Sequence, residues 1–313
     1  MSFPAFARPI GAAGEPECRY SICTLVTDPS EYGEMVESFI RAGFQPGFCE
    51  FLYCDNSASN RFDAYSAYNE FLASSRGKYI VLCHQDILLA FDGIDALERS
   101  IRKLDALDPA WALLGNAGGV APWQTVIRIT HADGREQNSG SFPVRVESLD
   151  ENFILAKRSA NLCLSHDLHG FHFYGTDICQ IAGSLGLSAW VVDFRLLHKS
   201  SGKYGASFAE AYQAICRKYR SAHRGGYIQT TCALIPVGPS WWRQQRAMFL
   251  LLRTLKKRGG DTPESREEQA RLLGLLGRWN FAFQLVIYKI AVPYFNLCRS
   301  IRKRYSTAQR RVT

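Results

Sequence analysis

The chain has 313 residues, 47% of them hydrophobic and 21% charged, with a formal net charge of +8. That length allows one large domain or two modest ones, and that balance excludes a disordered, collagenous or coiled-coil chain. The basicity is uneven: residues 241–313 hold 16 Lys/Arg against 4 Asp/Glu, so the excess belongs to the C-terminal stretch and the preceding residues are slightly acidic. The N-terminal segment MSFPAFARPIGAAGEPE has no long apolar run and is unlike a secretory signal. The ten cysteines form no CxxC pair, and Cys23, Cys54 and Cys83 fall in or at the ends of apolar runs. They read as reduced small hydrophobes of a cytosolic chain, peripheral at the inner face of the cell membrane if the basic tail engages it.

Residues 20–27 (YSICTLVT) read as a buried strand. Met35, Val36, Phe39 and Ile40 recur at helical spacing, which predicts a helix over 31–42 stopped by Gly43. A second strand, 48–54, ends in Asp55-Asn56-Ser57, and a helix over 62–75 follows. The third strand, 79–83, runs into His84-Gln85-Asp86. This alternation predicts βαβ units, a mostly parallel sheet and right-handed crossovers. Asp55 and Asp86 then fall at the carboxyl ends of two strands, the edge where open α/β sheets bind ligands. A carboxylate there needs a partner for its charge, and a divalent cation carrying a diphosphate is one such partner.

Further along, a helix is predicted over 93–107, a short strand running into a Gly-rich turn over 113–119, and a hairpin over 123–147. A strand over 152–157, a helix over 174–186 opening on Tyr174-Gly175-Thr176-Asp177, a strand over 189–194 and a helix over 206–222 complete the α/β pattern. From residue 241 the composition shifts. Met248, Leu251, Leu252 and Leu255 make an apolar helical face, residues 259–268 read as a polar linker, and the apolar stretch 281–298 is interrupted by Gln284, Lys289 and Pro293. That interruption argues against a membrane span. The chain is thus divided into an arm (1–19), an α/β domain (20–225) and a basic, mostly helical extension (226–313). Apolar helical faces beside Lys/Arg clusters favour an anionic membrane surface over nucleic acid as partner of the extension, with packing on the core or in a dimer as the alternative.

The succession of DNS after a strand, a helix with Asn69, GKYIVLCHQDI, FHFYGTDIC and VVDFRLLHKSSG resembles the family 2 glycosyltransferases with the GT-A fold. It is closest to the subgroup with His-Gln-Asp in place of Asp-x-Asp, over roughly residues 20–222. The resemblance implies a Rossmann-like, mostly parallel central sheet flanked by helices. It also implies an inverting, metal-dependent transfer of a sugar from a UDP- or GDP-linked donor to a glycan or lipid-linked acceptor in envelope polysaccharide assembly. Asp55 is then expected to contact the nucleotide, Thr27 and Asp28 to line the base pocket, and Asn69 to face the nucleotide. Tyr68 stands where relatives carry a basic residue. Asp86 is expected to ligate Mn2+ or Mg2+, with His198 as a further metal or diphosphate ligand. His84, in place of the first acid, ligates the ion or bonds the ribose or a phosphate. Lys199 and Lys203 are placed near the phosphates, Asp150 and Glu151 on the acceptor side, and Asp177 as catalytic base. Helix capping is the alternative for Asp55 and for Asp177. Two other readings stay open. The first is a catalytically inactive nucleotide-sugar or glycan-binding protein of a membrane complex, and the second is a nucleotidyltransferase. Neither a Walker element nor GxGxxG follows the first strand, which disfavours P-loop and dinucleotide chemistry.

Overall fold

The computed structural model describes residues 16–200, 206–221, 225–258, 263–277 and 280–289. The expected alternation opens the chain: β1 (Cys18–Val26), α1 (Pro29–Arg41), β2 (Cys49–Asp55), α2 (Ala64–Ser74) and β3 (Gly77–Cys83). Both of these helices start where a short polar side chain satisfies backbone N–H groups that have no helical partner. The Asp28 carboxylate accepts from Ser30 N at 2.9 Å and Glu31 N at 3.2 Å, with Pro29 preset for the first helical position. Asp63, not Asp55, does the same for α2, accepting from Ser66 N at 2.7 Å.

There follow β4 (Ile87–Leu88), α3 (Ile94–Leu107), β5 (Trp111–Gly115), β6 (Ala117–Ala121), β7 (Gln124–His131), β8 (Glu136–Ser139), β9 (Val144–Val146), β10 (Ser148–Leu149), β11 (Phe153–Lys157), α4 (Tyr174–Ser184), β12 (Ser188–Val191) and β13 (Leu196–His198). The central sheet runs β2-β1-β3-β11-β5-β12-β9. Pairs β2-β1, β1-β3 and β5-β12 are parallel, while β11 and β9 run against their neighbours. This is a mixed α/β fold with a mostly parallel sheet flanked by helices, as the alternation led us to expect. A second sheet runs β10-β6-β7-β13-β4, with β8 hairpinned onto β7.

The core forms because β3 is apolar on both faces. Tyr79, Ile80, Val81, Leu82 and Cys83 are all essentially inaccessible. One face meets Met35 and Phe39 of α1 and Leu97, Ile101 and Leu104 of α3, together with Leu114, Phe153 and Leu155 from neighbouring strands. Burying a side chain of that size stabilises by about 1.5–3 kcal/mol.

Three local expectations change. The Gly-rich 115–119 segment is the end of β5 and the start of β6 with a bend at Asn116 alone, not a Gly-rich turn. A Cβ on Gly118 would collide with the Ser148 carbonyl oxygen, and one on Gly119 with that of Gln229, so these glycines serve close backbone approach. The strand predicted over 189–194 ends at Val191, and the chain resumes as β13 in the other sheet. Part of the predicted polar linker is helical, because Pro263 opens a helix whose following residues are helix formers.

The chain divides into two compact units, Met1–Gly202 with Gln229–Thr231, and Lys203–Ile228 with Cys232–Thr313. The second holds α5 (Ala206–Arg220), β14 (Gly226–Gln229) except its last residue, β15 (Leu234–Val237), which pairs with β14, α6 (Trp241–Arg258), α7 (Pro263–Leu276) and a helical segment over 280–289. Phe208, Tyr212, Ile215, Ile235, Phe249 and Leu252 are buried within it, and Tyr212 Oη donates to Leu234 O at 2.9 Å. No described helix is long and apolar enough to cross a membrane. The nine described cysteines are free thiols. Lys203, Cys298 and the end of the apolar stretch 281–298 lie outside the described residues.

Candidate metal centre

Parallel pairing sets the site. The register places Val26 opposite Asp55 and Thr24 opposite Cys83, so Thr27, Asp55 and the His84-Gln85-Asp86 segment leave the sheet at one edge. The chain then turns into β4, which pairs antiparallel with β13, His198 opposite Ile87. Lys199 N donates to Asp86 O at 2.9 Å, closing that pairing around the acid. His198 is thereby carried to Asp86 from far along the chain. Asp86 Oδ1 lies 3.4 Å from His198 Nε2 and 3.7 Å from His84 Nδ1. The ligand atoms of His84, Asp86 and His198 all lie within 4.8 Å of one another, the one such group among the described residues.

The electrostatics follow from this crowding. Burial opposes the Asp86 anion, but the His198 hydrogen bond and charge, the His84 charge and the Ser200 hydroxyl outweigh it, so the carboxyl is held well below the usual carboxylate range. Burial also opposes a charged His198, yet its bond to Asp86 raises it above its ordinary value of 6.5. His84 moves the other way, lowered by burial and then by repulsion from His198. Its tautomer is set from behind. Tyr174 Oη donates to Glu151 O at 3.1 Å and lies 2.9 Å from His84 Nε2. With the hydroxyl proton on the Glu151 carbonyl, His84 Nε2 is the donor to the tyrosine. The lone pair is then on Nδ1, the atom beside Asp86. Phe173, which precedes Tyr174, has φ of 67°, in the left-handed region that non-glycine residues rarely adopt.

Other expected site residues are distributed as follows. Asp55 is not the cap of the following helix. Its Oδ1 accepts from Ser57 N at 2.8 Å and Ser57 Oγ at 2.6 Å, which stabilises its anion. Thr27 is tied to the motif by Gln85, whose Oε1 accepts from Thr27 N at 2.7 Å and Asp28 N at 3.1 Å and whose Nε2 donates to Thr27 Oγ1 at 3.0 Å. The middle residue of His-Gln-Asp therefore holds the β1–α1 loop, a role its composition did not announce. Asn69 Oδ1 accepts from Leu164 N at 2.7 Å and its Nδ2 donates to Leu164 O at 3.1 Å, so its amide pins the segment after β11. Tyr68 is core, its ring 4.7 Å from that of Tyr174. Lys199 is engaged by Glu31 and Glu34, both at 2.9 Å, which accounts for its charge without a phosphate.

Three further carboxylates come from the turn between β10 and β11 and from the start of α4. Asp177, in the first turn of α4, is wholly buried, and its oxygens accept from Ser165 N and Ser165 Oγ, both at 2.8 Å. Asp150 is satisfied by Thr231 Oγ1 at 2.6 Å and Asn152 Nδ2 at 2.6 Å. Glu151 accepts backbone N–H groups of Phe173, Tyr174 and Gly175, yet burial and then the charge of Asp150 push its carboxyl up to about 8. His166, His169 and His172 form no ligand cluster. His169 faces Asp63 at 3.4 Å, and burial lowers His172 to about 4.

Two imidazoles and one carboxylate around a common point are a donor set for a divalent transition ion. Imidazole nitrogen suits a transition ion better than Mg2+, which favours oxygen ligands. The residues present fit such an ion.

A protein of Fuscovulum blasticum described as "ATP synthase subunits region ORF 6" is 34% identical over 236 residues, 73% of this chain and 94% of that protein. The chain belongs to the family of that protein. No family model matches. Among solved structures, S. aureus TarS 1–349 in complex with UDP-GlcNAc is similar with a TM-score of 0.47 and 11% identity, covering 82% of this chain and 80% of that one. GalNAc-T7 with UDP, GalNAc and Mn2+ is similar with a TM-score of 0.47 and 9% identity, covering 88% of this chain and 58% of that one.

Proposed function

We propose that this chain is a metal-dependent glycosyltransferase, moving a sugar from a nucleoside-diphosphate sugar to a glycan or lipid-linked acceptor with inversion. The observation that carries the reading is the grouping of His84, Asp86 and His198 at the carboxyl edge of a parallel sheet, beside Asp55 and Thr27. The motif order described above supports it.

In this reading Asp86, His84 and His198 hold a divalent ion, Mn2+ rather than Mg2+ by donor chemistry. The bound ion would neutralise charge developing on a departing diphosphate. Asp55 and Thr27 take the nucleoside end. Asp55 is exposed with its anion already stabilised, which suits acceptance of a ribose or base hydrogen bond. Asn69 acts by holding residue 164, and through it the Ser165–Asp177 contact, rather than by touching the nucleotide.

Deprotonating the acceptor hydroxyl needs one carboxylate that substrate can reach. Asp177 and Glu151 are the two contenders. Asp177 is wholly buried and bonded to Ser165. Glu151 is half-buried, and its raised value brings it near the operating range of a general base. The geometry favours Glu151 for proton transfer and Asp177 for positioning.

The test is Mn2+-dependent hydrolysis and transfer from UDP- and GDP-sugars, with Asp86→Asn, Glu151→Gln and Asp177→Asn compared. Loss of both binding and turnover in Asp86→Asn is expected. UDP binding with no transfer to any acceptor by the unaltered chain would favour a nucleotide-sugar-binding protein instead. Full turnover in Asp86→Asn would remove the metal from the reading, and full turnover in Glu151→Gln would return the base to Asp177.

A further inference from the structure

The second unit carries exposed apolar side chains to which the proposed function assigns no role. Trp241 and Trp242, at the start of α6, are 51% and 58% exposed, and their rings meet edge-on at 4.7 Å. Trp242 also lies 6.1 Å from the ring of Phe283, which is 51% exposed. Val286, three residues further along the helical segment over 280–289 and 57% exposed, extends the patch by one turn. Exposed apolar side chains gathered in this way on an otherwise polar surface mark a site of contact.

Charge decides what makes that contact. The unit Lys203–Ile228 with Cys232–Thr313 contains 21 Lys/Arg against 5 Asp/Glu, a net charge of +16. Within α6, WWRQQRAMFLLLRTLKKR, six residues are basic and none is acidic. A second copy of so cationic a unit is repelled by the first, which argues against self-association through this patch. Nucleic acid would meet the charge, but Val286 has no ring for a base to stack on. A bilayer with anionic headgroups satisfies both features. Tryptophan and phenylalanine enter the headgroup–acyl boundary while lysine and arginine stay at the phosphates.

We propose that the second unit docks on the surface of an anionic phospholipid bilayer, with Trp241, Trp242, Phe283 and Val286 inserted into the interface and its basic side chains on the headgroups. The unit lies on the membrane: no described helix crosses it.

The experiment is co-sedimentation of the full chain with vesicles of phosphatidylcholine alone and with added phosphatidylglycerol. It is repeated with bromine-labelled acyl chains that quench inserted tryptophan. Binding and quenching are expected on the anionic vesicles alone, weakening as salt shortens the Debye length to ~3 Å at 1 M. The double substitution Trp241→Ala, Trp242→Ala should weaken binding roughly tenfold or more, with an unchanged thermal midpoint showing that the unit is folded, and Trp241→Phe, Trp242→Phe should restore most of it. The proposal is overturned if the unaltered chain ignores anionic vesicles, or if the alanine variant binds them equally. It is likewise overturned if sedimentation shows a dimer that the alanine variant dissolves, or if single-stranded DNA binds the chain through these tryptophans while vesicles do not.

Discussion

The two units differ most in charge. The first, Met1–Gly202 with Gln229–Thr231, holds 16 Lys/Arg against 24 Asp/Glu, a net −8, whereas the second is +16. The acidic unit gathers a carboxylate and two imidazoles at one sheet edge, where a cation is the natural guest. The basic unit spreads its charge along helices beside exposed tryptophans, where we propose an extended anionic surface as the guest. A net charge of +8 for the whole chain conceals both. Charge is informative once it is counted per folded unit.

The largest effect that tests this division is Asp86→Asn. Removing the anion shared by two imidazoles should reduce Mn2+-dependent turnover by about 1,000-fold while leaving vesicle binding unchanged. A parallel loss of vesicle binding would break the separation of roles. Next is Leu114→Ala, at a wholly buried position of the central sheet, which should cost about 3 kcal/mol in denaturant unfolding. Trp241→Ala, at an exposed position, should change stability by no more than about 0.5 kcal/mol.

Tyr174→Phe removes the acceptor of the His84 Nε2 proton while keeping the ring. Calorimetry should show Mn2+ affinity reduced by about 10–100-fold with the fold retained, and unchanged affinity would mean that the tautomer is set elsewhere. The pH dependence has a fixed sign. His198 binds its proton more tightly than a free imidazole, so the proton competes with a cation at its nitrogen from above pH 6.5 downward. Mn2+ affinity should therefore weaken as pH falls through that raised value, by roughly tenfold per pH unit below it. Affinity that improves on acidification would exclude His198 as a ligand. The smallest effect is Asp28→Ala, which removes the cap of α1 and should cost about 1 kcal/mol, read as a shift in the unfolding midpoint.

Much of the first unit was legible before any coordinates. Residues 79–83 form a strand because five consecutive apolar side chains must be covered on both faces, and 31–40 form a helix because Met35, Val36, Phe39 and Ile40 share a side. Both signals are local. That Asp55 and Asp86 would leave one sheet edge followed from parallel pairing alone. The roles of Gln85, Tyr174 and Ser165 were not legible, because each depends on a partner distant in the chain. The glycines at 118 and 119 misled for the same reason: they look like a turn until the Ser148 and Gln229 carbonyls are in place against them.

The residue pattern by itself therefore determined the α/β alternation, the acids at the strand ends and the basic C-terminal stretch, since hydrophobic periodicity and charge are properties of the chain. Only the tertiary structure decided that His198 stands beside Asp86, that Asp177 is buried against Ser165 while Glu151 is held near neutrality, and that two tryptophans of a basic helix face outward. Distances between side chains remote in the chain, and the desolvation each of them meets, are created by packing, and no local pattern encodes them.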